Sequence, residues 1–319
     1  MKTKKSFNLN AAYEKYGMLI VLAIEIIFFS FSHPNFLTSN NLLSVGRQVS
    51  FIGISSIGMT IVMLTGGIDI SVGSLLAFIG VMAAKMTADA GIPVAVAIII
   101  VLVGGTLIGV FNGTMVKVFK VPALIATLAM QTTLKGVTFL TTNAIPVSGI
   151  PDSFKFLGQG LLAGVIPVPL LVLVVLFIAA AWFLAKTYFG RWIYAIGGNE
   201  TAAQLSGINT TLLSIVAYAM CGFFTSIAGV LMAGRLSSGQ PQMGADFPMD
   251  VLTATVLGGV SVNGGKGNVM NVLVGAFVMG ILSNGVIMVG LNDYWQWVIK
   301  GIVLLVAVAV GNINAVKKK

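Results

Sequence analysis

The chain has 319 residues, of which 57% are hydrophobic and only 8% are charged. A soluble domain carries about 25% charged residues, so this composition excludes a soluble protein and predicts an all-α, polytopic bundle of transmembrane helices. The formal net charge of +9 does not indicate nucleic-acid binding, because the basic residues lie between apolar runs and at both ends rather than in one patch.

Hydrophobic segments along the chain predict about ten membrane spans, since a helix needs about 20 residues to cross the hydrocarbon core. They lie near residues 17–32, 49–65, 71–87, 93–116, 121–142, 166–187, 212–233, 248–263, 269–290 and 295–311. Several are short and contain glycine, so about eight spans with two half-entering segments fit nearly as well. No soluble domain is predicted, and residues 1–319 are interpreted as one transmembrane domain with two internally related halves.

The basic residues predict that both termini are cytoplasmic, because lysine and arginine beside a span resist translocation. With this orientation the cytoplasmic segments carry Lys2, Lys4, Lys5, Lys15, Lys117, Lys120, Lys186, Arg191, Lys266, Lys317, Lys318 and Lys319. The external segments carry or border only Arg47, Lys85, Lys155 and Arg235. Two connections are long enough to have a function of their own: an external loop at 143–165 and a cytoplasmic loop at 186–211.

Two glycine-rich breaks interrupt the hydrophobic sequence. The first contains Gly66, Gly67 and Gly73, and the second contains Gly258, Gly259, Gly264 and Gly265. Interrupted segments in the two halves of a membrane chain are typical of a transporter's internal repeat and its pathway, although a plain turn between spans remains the alternative. The second break fails as a phosphate-binding loop, because residue 260 is valine and Gly267 replaces the required hydroxyl residue. Nucleotide hydrolysis by this chain is therefore not expected.

Asp69 lies inside the first break, at membrane depth. A carboxylate there costs on the order of 2.5–3.5 kcal/mol on insertion scales, so it needs partners or contact with water. Two roles remain open. It can cap the helix that follows, with hydrogen bonds from Ser71 and Ser74, or it can line an inner gate.

The cytoplasmic loop contains a predicted short helix. Asn199 is the candidate N-cap, Glu200 lies in the first turn, where an acid is favoured, and Gly207 ends the helix. Ala202 and Ala203 are expected to form a smooth exposed face that another protein could contact. From the residues alone, a helix that docks a partner and a helix that lies on the membrane are equally supported.

The chain resembles the ribose/xylose/galactose permease family of bacterial ATP-binding-cassette importers, through an ordered set of blocks that runs over most of its length. These blocks are GGIDISVGS at 66–74, VPALIATL at 121–128, GR at 190–191, AIGGNE at 195–200, LSGIN at 205–209, AGRLSS at 233–238, GGV at 258–260 and GGKG at 264–267. The RLSS-x-QP and GGKG stretches favour the ribose members, so ribose is the first expected substrate.

This resemblance implies a homodimeric permease in the bacterial cytoplasmic membrane. Two ATPase domains would dock from the cytoplasm and an external sugar-binding protein from outside, and the 199–207 helix would couple the permease to the ATPase. The chain itself would need no cofactor, because ATP and magnesium belong to the partner ATPase.

A neutral monosaccharide needs hydroxyl and amide groups along its path. The candidates are the intramembrane polar residues Thr60, Asp69, Asn112, Thr127, Gln131 and Asn284. Two other classes of protein remain possible. A secondary transporter would use an ion gradient without an ATPase, and a membrane-embedded enzyme would need clustered acids or histidines, which nine scattered acids and one histidine do not supply.

Overall fold

The computed structural model describes residues 9–316, and most of these residues are helical. The elements are α1 (Leu9–Ser32), α2 (Ser39–Leu64), α3 (Val72–Ala88), α4 (Val94–Lys117), α5 (Ala123–Thr142), α6 (Asp152–Gln159), β1 (Leu161–Leu162), β2 (Ile166–Pro167), α7 (Val168–Lys186), α8 (Tyr188–Gly198), α9 (Glu200–Leu205), α10 (Thr210–Leu236), α11 (Phe247–Leu257), α12 (Val269–Met288) and α13 (Asp293–Val316). The two strands form one antiparallel pair. The all-α prediction is confirmed.

Six of the described helices are long and apolar enough to cross a membrane: α2, α4, α5, α7, α10 and α12. The other four predicted spans fall on shorter apolar stretches within α1, α3, α11 and α13. Every predicted span therefore coincides with an apolar helix, while the crossing of the membrane by all ten stays a prediction. The terminal lysines used for the orientation lie outside the described residues: Lys2, Lys4, Lys5, Lys317, Lys318 and Lys319.

Helix α2 forms the centre of the bundle. Within its most apolar window 89% of the residues are buried, against 22% for α4 and 28% for α7. The outer helices expose large apolar side chains such as Ile99, Leu107 and Ile178. An apolar outer surface around a packed centre is what a bundle surrounded by lipid requires.

Two sets of four helices, α2–α5 and α10–α13, have the same order of neighbours. Helix α2 packs against α11 and α12, just as α10 packs against α3 and α4, and the two helices also pack against each other. Likewise α3 contacts α5, and α11 contacts α13. The contacts of one set are thus repeated by the other.

The loops gather at two ends of this bundle. At one end, which we call the α9 end, Lys117 in the last turn of α4 contacts Glu200 of α9. At the other end, which we call the α6 end, the Arg47 guanidinium donates to the Gln159 carbonyl at 2.9 Å, and Val147 forms an antiparallel β-bridge with Gly239. Successive apolar helices run from one end to the other, so each connecting segment is assigned to one of these two ends.

Small residues let α4 and α10 approach closely, as lipid-embedded helices require. A Cβ atom added at Gly105 would collide with Ser226, one at Gly109 with the Tyr218 backbone, and one at Gly113 with Ile215. The ladder of small residues therefore marks the closest interhelical contact of α4.

Gly109→Ala is expected to destabilise the protein by about 1–3 kcal/mol, because the added methyl group overpacks this contact. Gly104→Ala is the matched control, since a Cβ atom at Gly104 meets nothing within 4 Å. Thermal unfolding of the two variants in detergent measures the difference. Equal melting temperatures would show that close approach at Gly109 does not stabilise the bundle.

Candidate translocation site and coupling loop

The first glycine break is held together by a buried hydrogen-bond network. The Asp69 carboxylate, only 1% exposed, accepts from the Ser71 amide at 3.0 Å and from the Ser71 hydroxyl at 2.5 Å. Asn112 of α4 donates to the Ser71 hydroxyl at 3.0 Å and to Asp69 at 3.4 Å. Asp69 therefore fixes the turn before α3, whose N-cap residue is Ser71, and both its capping role and its role at a gate stay predictions.

The first break, the second break and α8 meet at the α9 end. The Gly265 amide donates to the Leu64 carbonyl at 3.0 Å. A Cβ atom at Gly197 would collide with both of these groups, and one at Gly264 would lie 2.9 Å from the Gly66 amide nitrogen. We call the set Leu64, Gly66, Gly197, Gly264 and Gly265 the glycine junction.

The two breaks do not occupy equivalent positions of the two helix sets. The first, at Gly66 and Gly67, follows the first helix of its set, α2, whereas Gly258 and Gly259 follow the second helix of theirs, α11. The breaks instead lie against each other in the glycine junction. Gly73, the third glycine of the first break, packs against Gly244 so closely that no side chain fits between them.

The predicted helix of the cytoplasmic loop is present as α9. The Asn199 side chain accepts from the Ala202 amide at 2.9 Å, Glu200 is the first helical residue, and Gly207 has the positive φ of 83° that favours glycine. The prediction of an Asn199 cap and a Gly207 end is confirmed. Both features depend only on residues that are neighbours in the chain.

The two alanines of α9 do not share an exposed face, so that expectation is wrong for Ala203. Ala203 is only 4% exposed and packs with Ile196 and Leu213, because it lies on the side of the helix that faces α8 and α10. The exposed face instead presents Ala202 and Leu205, and Leu205 is 86% exposed. This exposure is fixed by the fold and could not be predicted from the sequence.

Glu200 ties α9 to α4. Its carboxylate lies 2.7 Å from the Lys117 ammonium. Partial burial raises the pKa of Glu200, but the hydrogen bond and charge of Lys117, with smaller contributions from Thr210 and Lys120, outweigh it and leave the pKa below its usual value. Helix α4 carries both Lys117 and Asn112, so it connects α9 with the Asp69 turn.

The Glu200–Lys117 pair is expected to open only in acid. A carboxylate whose folded pKa is lowered contributes stability above its unfolded pKa of about 4.3, and this contribution is lost as the pH falls through the folded value. The mobility of a nitroxide on Ser206→Cys should therefore stay at its neutral-pH level and rise only when the pH falls below the ordinary glutamate pKa. Adding Glu200→Gln should abolish this pH dependence, and an unchanged titration would contradict the assignment.

A non-helical segment, residues 238–246, runs beside α3 after α10 has ended. A Cβ atom at Gly239 would contact Val81 and Ala84 near the end of α3, while Gly244 lies against Gly73 at its start. The segment therefore follows most of the length of α3 in the opposite direction. Irregular backbone at this depth is tolerated where protein buries it or where it borders a water-filled cavity.

Such a cavity, of about 360 Å³, lies between this segment, α3 and α5. Its polar lining consists of Ser74, Gln131, Lys135 and Gln242, and the rest is apolar or small, including Ala77, Phe139 and Pro241. Amide and hydroxyl groups beside an aromatic ring suit a small neutral polar molecule. We call this space the α3–α5 cavity.

The predicted path residues are dispersed. Gln131 lines the α3–α5 cavity, whereas Asp69 and Asn112 form the network of the first break. Thr60 and Thr127 are buried and donate to carbonyls of their own helices, at 2.6 Å and 2.9 Å. Asn284 exchanges hydrogen bonds with Asn41 between α12 and α2, at 2.9 Å and 3.0 Å. Contact of any of these six with a sugar stays a prediction, and Ser74, Lys135 and Gln242 of the cavity were not among them.

Residues 41–308 match the family model described as branched-chain amino acid transport system / permease component. The chain is 44% identical over 300 residues to ribose import permease protein RbsC of Escherichia coli (strain K12), covering 92% of each chain. It is 38% identical to RbsC of Bacillus subtilis (strain 168), over 96% of this chain and 95% of the relative. It is 31% identical to xylose transport system permease protein XylH of Escherichia coli (strain K12), over 95% and 92% of the two chains. No solved structure matches. The match to the family model and these full-length relatives together show that the chain belongs to this family of transport-system permease components.

Proposed function

We propose that this chain is the membrane-spanning permease of an ATP-driven importer that carries a monosaccharide, ribose first, across the bacterial cytoplasmic membrane. The glycine junction carries the proposal, because it joins α8 to both glycine breaks. Helix α8 leads directly into α9. A partner that moves α9 would thereby move the start of α3, where the α3–α5 cavity lies. The names of the ribose and xylose relatives support the choice of a sugar.

All ten apolar helices would cross the membrane, with the α9 end in the cytoplasm. The segments at the α9 end contain or border the basic residues Lys117, Lys120, Lys186, Arg191 and Lys266, whereas those at the α6 end contain or border Arg47, Lys85, Lys155 and Arg235. This distribution agrees with the positive-inside rule. Because α2 and α10 then run in opposite directions, α2–α5 and α10–α13 would be inverted repeats, a common design in transporters.

Three protein partners complete the proposed importer. An ATP-binding subunit would dock on the exposed face of α9 and would hold the ATP and magnesium, so this chain would need no cofactor. An external sugar-binding protein would dock at the α6 end. A second permease copy would cover the face of α5 on which Lys135 is exposed beside the cavity-lining Gln131, because a charge is unfavourable against lipid.

Uptake by cells that carry or lack this gene distinguishes the two substrate classes that the comparisons suggest. We expect the deletion to abolish high-affinity uptake of labelled ribose and to leave leucine and valine uptake unchanged. Xylose and galactose as unlabelled competitors then define the range of sugars. Loss of amino-acid uptake with normal ribose uptake would refute the sugar assignment.

A further inference from the structure

We propose that Lys135 is a charge barrier that keeps inorganic cations out of the sugar path. The inference rests on the proposed function, because it assigns the α3–α5 cavity to that path. It adds a second property, ion exclusion, to the same site.

Lys135 lies well inside the membrane and on the wall of the cavity. At 1.5 Å per residue it is about 18 Å from the first residue of α5 and about 10 Å from the last. Gln131 and Phe139, one helical turn to either side, line the same cavity. The three side chains therefore share one face of α5, and among the described residues that line the cavity only Lys135 is charged.

Two other helical lysines, Lys300 and Lys117, are paired with carboxylates. The Lys300 ammonium lies 2.7 Å from the Asp250 carboxylate, and that of Lys117 lies 2.7 Å from Glu200. Lys85 donates to the Thr141 carbonyl at 2.9 Å. Among residues 17–292 and 294–309, no carboxylate lies within 4 Å of the Lys135 ammonium. An unpaired charge inside the membrane costs free energy, and such charges are typical of substrate or ion paths.

A path wide enough for a monosaccharide is also wide enough for sodium, potassium and hydronium ions. A fixed positive charge in a low-dielectric wall repels each of these cations, as charged groups do in selective membrane pores. A neutral sugar has no net charge to be repelled, and its hydroxyl groups can accept hydrogen bonds from the ammonium. The barrier therefore discriminates by charge and leaves sugar passage open.

The test uses the assembled importer in proteoliposomes, with its ATP-binding subunit and sugar-binding protein. Potassium and sodium flux are recorded during ATP-driven turnover, and sugar uptake is recorded in the same vesicles. We expect Lys135→Gln and Lys135→Met to raise cation flux at least about tenfold, whatever their effect on sugar uptake, because Lys135 also lines the cavity. Cation flux through a Lys135→Arg importer should stay at the wild-type level. Lys155→Gln, which removes a lysine at the exposed α6 helix, is the matched charge control and should also remain tight.

Cation flux at the wild-type level in a Lys135→Gln or Lys135→Met importer would overturn the proposal, whether or not sugar uptake continues. Equal leaks in the Lys135→Gln and Lys155→Gln importers would overturn it too, because the effect would then not belong to the cavity. A failure of the proposed function is distinguishable, since the wild-type importer itself would then take up no sugar on ATP.

Discussion

Replacing Ala202 by arginine together with Leu205 by aspartate is expected to abolish copurification of the ATP-binding subunit and ATP-driven sugar uptake. Leu205 is 86% exposed on a helix of only six residues, so it is the natural apolar anchor for a docked partner. Loss of a central anchor costs an interface about 2 kcal/mol or more, and two charges buried in its place add to that cost. Pull-down of the ATP-binding subunit from membranes measures the effect.

Ile145→Asp is the control for this double variant. Ile145 is a comparably exposed apolar residue, but it lies in the segment after α5, at the α6 end. ATPase binding should survive this substitution. Normal copurification of the Ala202 and Leu205 variant would show that the ATPase docks elsewhere. Arginine at Ala203 is a poorer test, because Ala203 is buried and its replacement would disrupt α9 itself.

Gly197→Val is expected to lower ATP-driven uptake at least tenfold by breaking the glycine junction. A side chain at this position collides with the Leu64 carbonyl and the Gly265 amide, so it removes the hydrogen bond that joins the two breaks. Overpacking at backbone atoms cannot be relieved by a change of rotamer, and the segments must separate. Uptake in reconstituted vesicles and limited proteolysis of the 186–211 loop report the two consequences.

The neighbouring glycine provides a matched control for this substitution. A Cβ atom at Gly198 meets nothing within 4 Å, although Gly198 ends the same helix. Gly198→Val should therefore keep most of the uptake and an intact loop. If both variants transport equally well, the contact of α8 with the breaks does not transmit the movement of α9.

The elements that the sequence predicts well are those fixed by local signals. The ten apolar runs and the Asn199 cap depend on composition and on neighbours in the chain. Which side of α9 is buried does not depend on local signals, because Ala203 is covered by Ile196 and Leu213, which belong to two other helices. A helix of six residues is too short to reveal its buried side by periodicity.

The candidate site was harder to predict because its residues come from distant segments. Polar residues within apolar runs look alike in sequence, yet Thr60 satisfies its hydroxyl within its own helix whereas Gln131 borders a cavity. The cavity also needs the 238–246 segment to fold back along α3, which no local pattern indicates. Similarly, the two glycine breaks look equivalent in sequence and become partners only in three dimensions.

The most direct test of the central claim is uptake of labelled ribose into proteoliposomes that contain this permease, with the energy source varied. Uptake should require the ATP-binding subunit, ATP and the sugar-binding protein together, and it should stop when α9 carries the Ala202 and Leu205 substitutions. A proton or sodium gradient alone should drive none. Accumulation of ribose by the permease alone under such a gradient would contradict the account.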